Sequence, residues 1–415
     1  MKIGFAGLSH LGIIASVVSA AKGCNVIAYG DYLELKKINS NKIDITEPKL
    51  NELYFKNKKK IKFTNRIKDL EKTDIIYISK DVYTDNKGNS DLSDIKRVVR
   101  KITLFKKKSV LVILSQVPPS FTRKIIWPVN KLYYQVETLV FGNAIQRALK
   151  PERTIIGCSN STVKINIKLK KYLNLYKCPI LKMKYESAEL AKISINMYLI
   201  SSITTTNELA EISKKIGANW SEISPALRLD KRIGKYAYLN PGLGISGGNL
   251  ERDLETFRKF LKFNKIYENF SNNIKKISEY RKNWIYIKFK KIINKNKNIK
   301  QVGVLGLTYK EGTNSIKNSP SIFFIKKAVL KHEIKVNVYD PVIKKLNISK
   351  KIKICQNIDQ VIKSSDLLII ATPWKNFKNI NINKYHKIKA IIDPHNYLSL
   401  SINKIQNSKH ITMGA

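Results

Sequence analysis

The sequence predicts an α/β protein of two doubly wound parallel-sheet domains joined by a helical middle domain. Three observations predict it. Short apolar runs of strand character alternate with helical stretches through the first 185 residues, the pattern of a parallel sheet with crossover helices. From Glu186 to about residue 295 the strand signal is missing and the pattern is helical, very basic and poor in glycine towards its end. After the polar linker Lys295–Lys300 the alternation restarts. A length of 415 residues fits two to three domains at ~150 residues each. We therefore divide the chain into a cofactor domain (1–185), a helical central domain (186–295) and a C-terminal α/β domain (296–415).

The first thirty residues read strand, glycine turn, helix, strand. Lys2–Ala6 is a short apolar strand, Gly7 to Gly12 the turn, Ile13–Lys22 a small-residue helix and Asn25–Tyr29 the next strand. This is the opening unit of a dinucleotide-binding, Rossmann-like fold. The turn is G-x-S-x-x-G. Gly7 permits the tight bend, Ser9 replaces the glycine over which a pyrophosphate passes, and Gly12 closes the motif. Helix N–H groups at His10 and Leu11 face a phosphate. The acid that holds a ribose hydroxyl normally ends the second strand; here Gly30 takes that place and Asp31 follows. Further strands are expected at Asp74–Ser79, Ser109–Leu114 and Thr154–Gly157, all in parallel order. In the C-terminal domain they are expected at Gln301–Leu305, Lys335–Tyr339, Asp366–Thr372 and Lys389–Asp393, with a helix near Pro320–Leu330.

Composition narrows the function classes. The chain has 77 Lys and Arg against 31 Asp and Glu, a formal charge of +46. The cations are spread over the whole length among Ile and Asn rather than gathered in one stripe with aromatics. No specific nucleic-acid partner is therefore expected, only a field that attracts anionic small molecules. Cys24, Cys158, Cys178 and Cys355 lie far apart with no metal-binding spacing, as in a reducing, cytoplasmic setting. No metal is expected. The apolar run Ile3–Ala21 has the outline of a signal peptide, but His10, its spaced glycines and the strand that follows favour a folded βα unit. No other run is long and apolar enough for a membrane helix, so no membrane partner is expected.

Several later segments, taken in order, resemble one family. They are Ser115-Gln116-Val117-Pro118-Pro119; Glu137 followed by Gly142-Asn143-Ala144-Ile145 and Pro151-Glu152-Arg153; Glu189-Leu190-Ala191-Lys192 with Asn196; Asp230-Lys231-Arg232-Ile233-Gly234; Gly306-Leu307-Thr308-Tyr309-Lys310 with Thr313 and Ser319-Pro320; and Thr372-Pro373-Trp374 with Asp393-Pro394-His395-Asn396. Over nearly the whole chain this resembles the nucleotide-sugar dehydrogenases, the UDP-glucose/GDP-mannose dehydrogenase family. The resemblance implies NAD as cofactor and a nucleotide-sugar, most simply a UDP-sugar, as substrate. It also implies a homodimer through the helical middle and an active site between the two α/β domains.

The family reaction removes two hydrides from a sugar primary alcohol, with a cysteine trapping the intermediate aldehyde. Carried over by position, Lys192 and Asn196 sit four apart on one helical face and can address one oxygen, the lysine stabilising oxyanion charge. Glu137 is the acid/base for the hydrolytic water, and Asp253 assists a water or the lysine. Ser115, Gln116 and Lys317 fall at the cofactor. Arg232, the loop Asn240 to Gly248 (with Gly244, Ile245 and Ser246), Tyr309 and Lys310 fall at the nucleotide-sugar. At the nucleophile the sequence departs: Gly247-Gly248-Asn249-Leu250-Glu251-Arg252-Asp253 places Asn249 where the family has cysteine. An amide cannot do thiolate chemistry. Gln116, Val136, Phe141 and His395 also replace family residues. Three functions stay open: a dehydrogenase that stops at the aldehyde or oxidises its hydrate, a non-catalytic nucleotide-sugar or dinucleotide binder, and an oxidoreductase for another substrate.

Overall fold

The computed structural model describes residues 1–38, 42–85, 88–382, 385, 387–398 and 409–414. The chain divides into two compact units, Met1–Ile195 and Asn196–Ala415.

In the first unit the strands of the main sheet are β1 (Lys2–Ala6), β2 (Asn25–Tyr29), β3 (Ile61–Thr64), β4 (Ile75–Ile78), β5 (Val110–Ile113), β6 (Leu132–Gln135), β7 (Thr154–Cys158) and β8 (Ile180–Lys184). They form one sheet in the order β8-β7-β6-β5-β4-β1-β2-β3. The order reverses at β1, which pairs in parallel with both β2 and β4. Ligands of open α/β sheets sit at the carboxyl ends of strands at such a reversal. The apolar run Ile3–Ala21 is spent on β1 and on helix α1 (His10–Ala21), where Ile3, Phe5, Ile13, Ile14 and Val17 are buried. Helix α2 (Leu50–Asn57) packs beside α1. Helix α3 (Ser93–Thr103) covers the other face with Ile95, Val98, Val99 and Ile102. With both faces covered, β4 and β5 are buried at every residue, as parallel core strands require.

One expectation fails. The sequence pattern predicts a parallel strand at Thr154, but β7 runs antiparallel to β6, with Tyr134 opposite Gly157. Residues 136–153, including helix α4 (Ala144–Leu149), return the chain to the same end of the sheet and do not cross over. After helix α5 (Ile167–Leu173), β8 is parallel to β7 again.

Helix α6 (Tyr185–Lys215) leads into the second unit. The helical pattern expected to about Leu227 breaks at Gly217, φ +80°, and resumes as α7 (Trp220–Leu229). Then come α8 (Asn249–Phe263), α9 (Asn269–Lys282) and α10 (Trp284–Lys295). The second sheet holds β9 (Gln301–Leu305), β10 (Lys335–Tyr339), β11 (Ile352–Ile354), β12 (Leu367–Ile370), β13 (Ala390–Asp393) and β14 (Lys409–Thr412). Its order is β11-β10-β9-β12-β13-β14, parallel throughout. Helices α10 and α11 (Pro320–Lys331) cover one face and α12 (Ile358–Lys363) the other. Both units are thus doubly wound.

Candidate active site

The glycine turn is built for an anion. Gly7 has φ +115°, and a Cβ there would meet the Lys80 backbone at 2.8 Å. A Cβ on Gly12 would lie 1.8 Å from the Gly7 carbonyl oxygen. Both glycines are therefore obligatory. No side chain caps the first N–H groups of α1, and no acid stands in its first turn. Those N–H groups and the positive helix end suit a pyrophosphate. Ser9 turns its hydroxyl away, donating to the Ser79 carbonyl at 2.9 Å. The buried Leu11 packs in the core beneath the turn.

His10, the first residue of α1, lies against Phe141 with ring centroids 4.2 Å apart, and its Nε2 is 3.1 Å from Glu47 Oε2. The Glu47 carboxylate also accepts from the N–H groups of Gly142 and Ala144. Asp31 caps a single helical turn, Tyr32–Leu35, and pairs with Lys80. Ser115 is fully buried and donates to the Lys80 carbonyl at 2.6 Å, bracing the ends of β4 and β5; Gln116 follows it, half-buried.

Glu137 and Lys192 come together in the first unit: Lys192 Nζ is 3.8 Å from Glu137 Oε2. Glu137 also accepts from the Leu139 N–H. Lys192 is buried, which a lone ammonium would resist; the carboxylate offsets that cost. The loop of Pro118 to Thr122 is tied to the same helix, because the N–H groups of Ser120 and Thr122 donate to Glu189. Burial pushes the Glu189 carboxyl up, and those N–H bonds oppose it.

In the second unit, Asn249 is the exposed first residue of α8, so the segment expected as a loop is helical from this point. One turn on, the buried Asp253 accepts a hydrogen bond from the Asn196 amide, and Arg252 Nε is 3.4 Å from its other oxygen. The segment from Gly242 to Gly248 is pinned on three sides. Gly242 N–H donates to Asn207, and Ile245 N–H to Ser278. A Cβ on Gly247 would stand 2.9 Å from the Tyr309 ring, and one on Gly248 3.5 Å from Lys317. His395 faces Gly242 in the same way at 3.8 Å. Burial pushes the Tyr309 phenol up to about 12 and the His395 imidazole down. Gly244 packs on Ser278, with Ser246 half-buried between pinned neighbours; Lys310 Nζ sits 5.9 Å over the Tyr309 ring.

Two expected substrate residues stand apart from this group. The Arg232 side chain is 89% exposed and bonded to Asp230, while Asn240 accepts from Arg228. Sequence reasoning missed Lys80, Glu47, Asn207 and Ser278. Only Lys80 left a signal, as a cation ending an otherwise apolar strand. Three cysteines are buried, and burial pushes the thiols of Cys24, Cys158 and Cys355 up, away from the reactive thiolate.

Residues 1–178 match the NAD binding domain of the UDP-glucose/GDP-mannose dehydrogenase family, residues 186–280 its central domain and residues 303–399 its UDP binding domain. The chain belongs to this family. Its members act as NAD-dependent oxidoreductases on nucleotide-sugar alcohols, and NAD is the cofactor that the glycine turn fits. A UDP-glucose 6-dehydrogenase of Rickettsia bellii is 29% identical over the full length of both chains. A UDP-N-acetyl-D-mannosamine dehydrogenase of Pyrococcus horikoshii is 27% identical, over 96% of each. In fold the chain is similar to a UDP-glucose dehydrogenase from Pyrobaculum islandicum, with a TM-score of 0.85 and 22% identity over 99% of this chain and 96% of that one. Among the described residues no helix is long and apolar enough to cross a membrane, and no cluster of acids, histidines and cysteines could hold a metal.

Proposed function

We propose that this dehydrogenase oxidises the primary alcohol of a UDP-sugar, as in UDP-glucose 6-oxidation, and releases the aldehyde after one hydride transfer. The observation that carries this reading is Asn249, at the head of α8 with Asp253 one turn away. Family resemblance puts the nucleophile at that position, and an amide there cannot form the thioester.

NAD, which the glycine turn of Gly7 and Gly12 and the first N–H groups of α1 would hold, would supply the hydride acceptor. The protein supplies the rest. The Glu137 carboxylate takes up the hydroxyl proton, and the Lys192 ammonium beside it steadies the alkoxide until the hydride has left. Asn196, fixed by Asp253, donates to the same oxygen. Ser246, Tyr309 and Lys310 hold the nucleotide-sugar. With no covalent trap the carbonyl product dissociates as free aldehyde or its hydrate.

The exposed apolar residues of α6, among them Leu190, Tyr198, Leu209 and Ile212, support a homodimer through this helix. The unpaired cysteines support a cytoplasmic location.

The test counts NADH formed per UDP-glucose consumed by the purified protein, with a hydroxylamine trap for aldehyde. One NADH and a trapped aldehyde support the reading. Two NADH per sugar overturn the role given to Asn249. Saturable binding of both ligands without turnover overturns the enzyme and leaves a binding protein.

A further inference from the structure

In the second unit, one half-buried carboxylate joins three segments that are far apart in the chain. Glu251 is the third residue of α8 and the acid of its first turn, where the positive helix end favours it. Its Oε1 pairs with the ammonium of Lys282, the last residue of α9, and its Oε2 accepts from the side-chain amide of Asn318. The paired side chains are only 17% and 16% exposed, so water and salt screen them weakly.

Asn318 ends a segment that begins at Tyr309 and is tied within itself. The Tyr309 N–H donates to the Ser315 carbonyl, the Ser315 N–H to Thr313 Oγ1 and the Lys317 N–H to Ser315 Oγ. Asn318 has φ +51°, a conformation that asparagine tolerates, and α11 starts two residues later. This segment bears on the turn before α8: the Tyr309 ring lies against Gly247 and the Lys317 side chain against Gly248. Those contacts are of van der Waals type and have little direction. The directional bonds come from Glu251. Helix α9 takes part twice, since Ser278 holds the Ile245 N–H one turn before Lys282 holds Glu251.

We propose that Glu251 is a positioning residue for the nucleotide-sugar. Through Lys282 and Asn318 it fastens the 309–318 segment to the turn of Gly247 to Asn249, and so sets where Tyr309, Lys310 and Lys317 stand against that turn. The inference rests on nucleotide-sugar binding by Ser246, Tyr309 and Lys310. Charge and tie have opposite consequences here. A carboxylate repels a nucleotide diphosphate, so loss of the charge alone tightens UDP binding, whereas loss of the tie weakens it.

The experiment titrates UDP, UDP-glucose and NAD into the full-length protein and its Glu251→Ala, Glu251→Gln and Lys282→Met variants by calorimetry, and follows deuterium exchange of residues 309–319 without ligand. We expect Glu251→Ala to weaken UDP and UDP-glucose about tenfold and to leave NAD within about twofold. Exchange over 309–319 should quicken in the same variant. Glu251→Gln keeps an acceptor for Asn318 and should fall between Glu251→Ala and the wild type. Tighter UDP binding, an equal loss for NAD, or unchanged exchange over 309–319 in folded Glu251→Ala overturns the inference. If Glu251→Ala does not fold, Lys282→Met decides: UDP weakened with NAD unchanged supports the inference, and UDP unchanged overturns it. If the wild type binds neither UDP nor UDP-glucose, the substrate reading fails and this inference with it. In that case the exchange measurement still shows whether Glu251 holds the segment.

Discussion

His10 Nε2 and Glu47 Oε2 are 3.1 Å apart, and through this pair the start of the cofactor helix is tied to the segment that carries Glu137. The buried Glu47 carboxylate also accepts from Gly142 and Ala144, which follow Glu137 in the chain. Burial pushes this carboxyl up, but the His10 bond and the two N–H bonds outweigh it and hold it below the usual range. Its folded value is thus lower than its unfolded value. The stabilisation is complete above the unfolded value, near pH 4.5, and is lost as pH falls through the folded one. We expect urea midpoints level between pH 6 and 7 and falling below about pH 4.5. Glu47→Gln should cost about 1–3 kcal/mol at pH 7 and flatten that fall. A Glu47→Gln protein with the wild-type profile would remove Glu47 from the account.

Ser120 holds a backbone conformation that suits glycine. Its φ is +70°, and its N–H donates to Glu189 Oε2 at 2.6 Å. That bond fixes the conformation against the preference of a side chain, and a non-glycine residue there costs on the order of 1 kcal/mol. Ser120→Gly should therefore raise the stability of the folded protein by about 0.5–1 kcal/mol. Ser120→Val should lower it by more, since a β-branched chain fits this region worst. Chemical denaturation of both variants decides this, and a destabilised Ser120→Gly protein would show that the serine side chain holds the turn.

Asn196 and Asp253 are both buried, and the amide of one donates to the carboxylate of the other. Arg252, also buried, shares that carboxylate. Asp253→Ala removes the acceptor for the amide and one counter-charge of the guanidinium, and should cost about 3–5 kcal/mol. Asp253→Asn keeps a hydrogen-bond acceptor and should cost less. A double-mutant cycle of Asn196→Ala with Asp253→Ala should show a coupling of about 1 kcal/mol or more. Additive losses would mean that the two side chains serve separate purposes.

The fold is legible in the sequence where one residue type answers to one local demand. Gly7 and Gly12 are needed because any Cβ would strike backbone, so their spacing alone marks the passage from strand through turn to helix. The buried runs at β4 and β5 show a covered parallel sheet. Partner choice across the chain is not legible. Lys80 finds Asp31 across 49 positions, Ala144 finds Glu47 across 97, and Asn196 finds Asp253 across 57. Nothing local in an isolated Lys or Glu marks these pairings in so basic a chain. The direction of β7 depends on which end of the sheet residues 136–153 return to, and apolar content is the same for either direction.

Asn249 offers the most direct change of chemistry. It is exposed at the first position of the 15-residue helix α8, behind Gly248, which makes no side-chain cap. A thiol at a helix N-terminus ionises more readily than a free one, because the helix end favours the anion. Asn249→Cys should therefore create a thiol with a pKa below the ordinary value of about 8.5. The rate of iodoacetamide alkylation against pH reads this directly, and the buried Cys24, Cys158 and Cys355 will contribute little. With UDP-glucose and NAD the variant should then form a second NADH per sugar and leave less trappable aldehyde than the wild type. Alkylation of the introduced thiol should remove the second NADH and spare the first. If the thiol reacts yet the NADH count stays at one, the missing cysteine is not what ends the reaction at the aldehyde. The Asp253–Asn196 pair, one turn further along α8, becomes the next place to look.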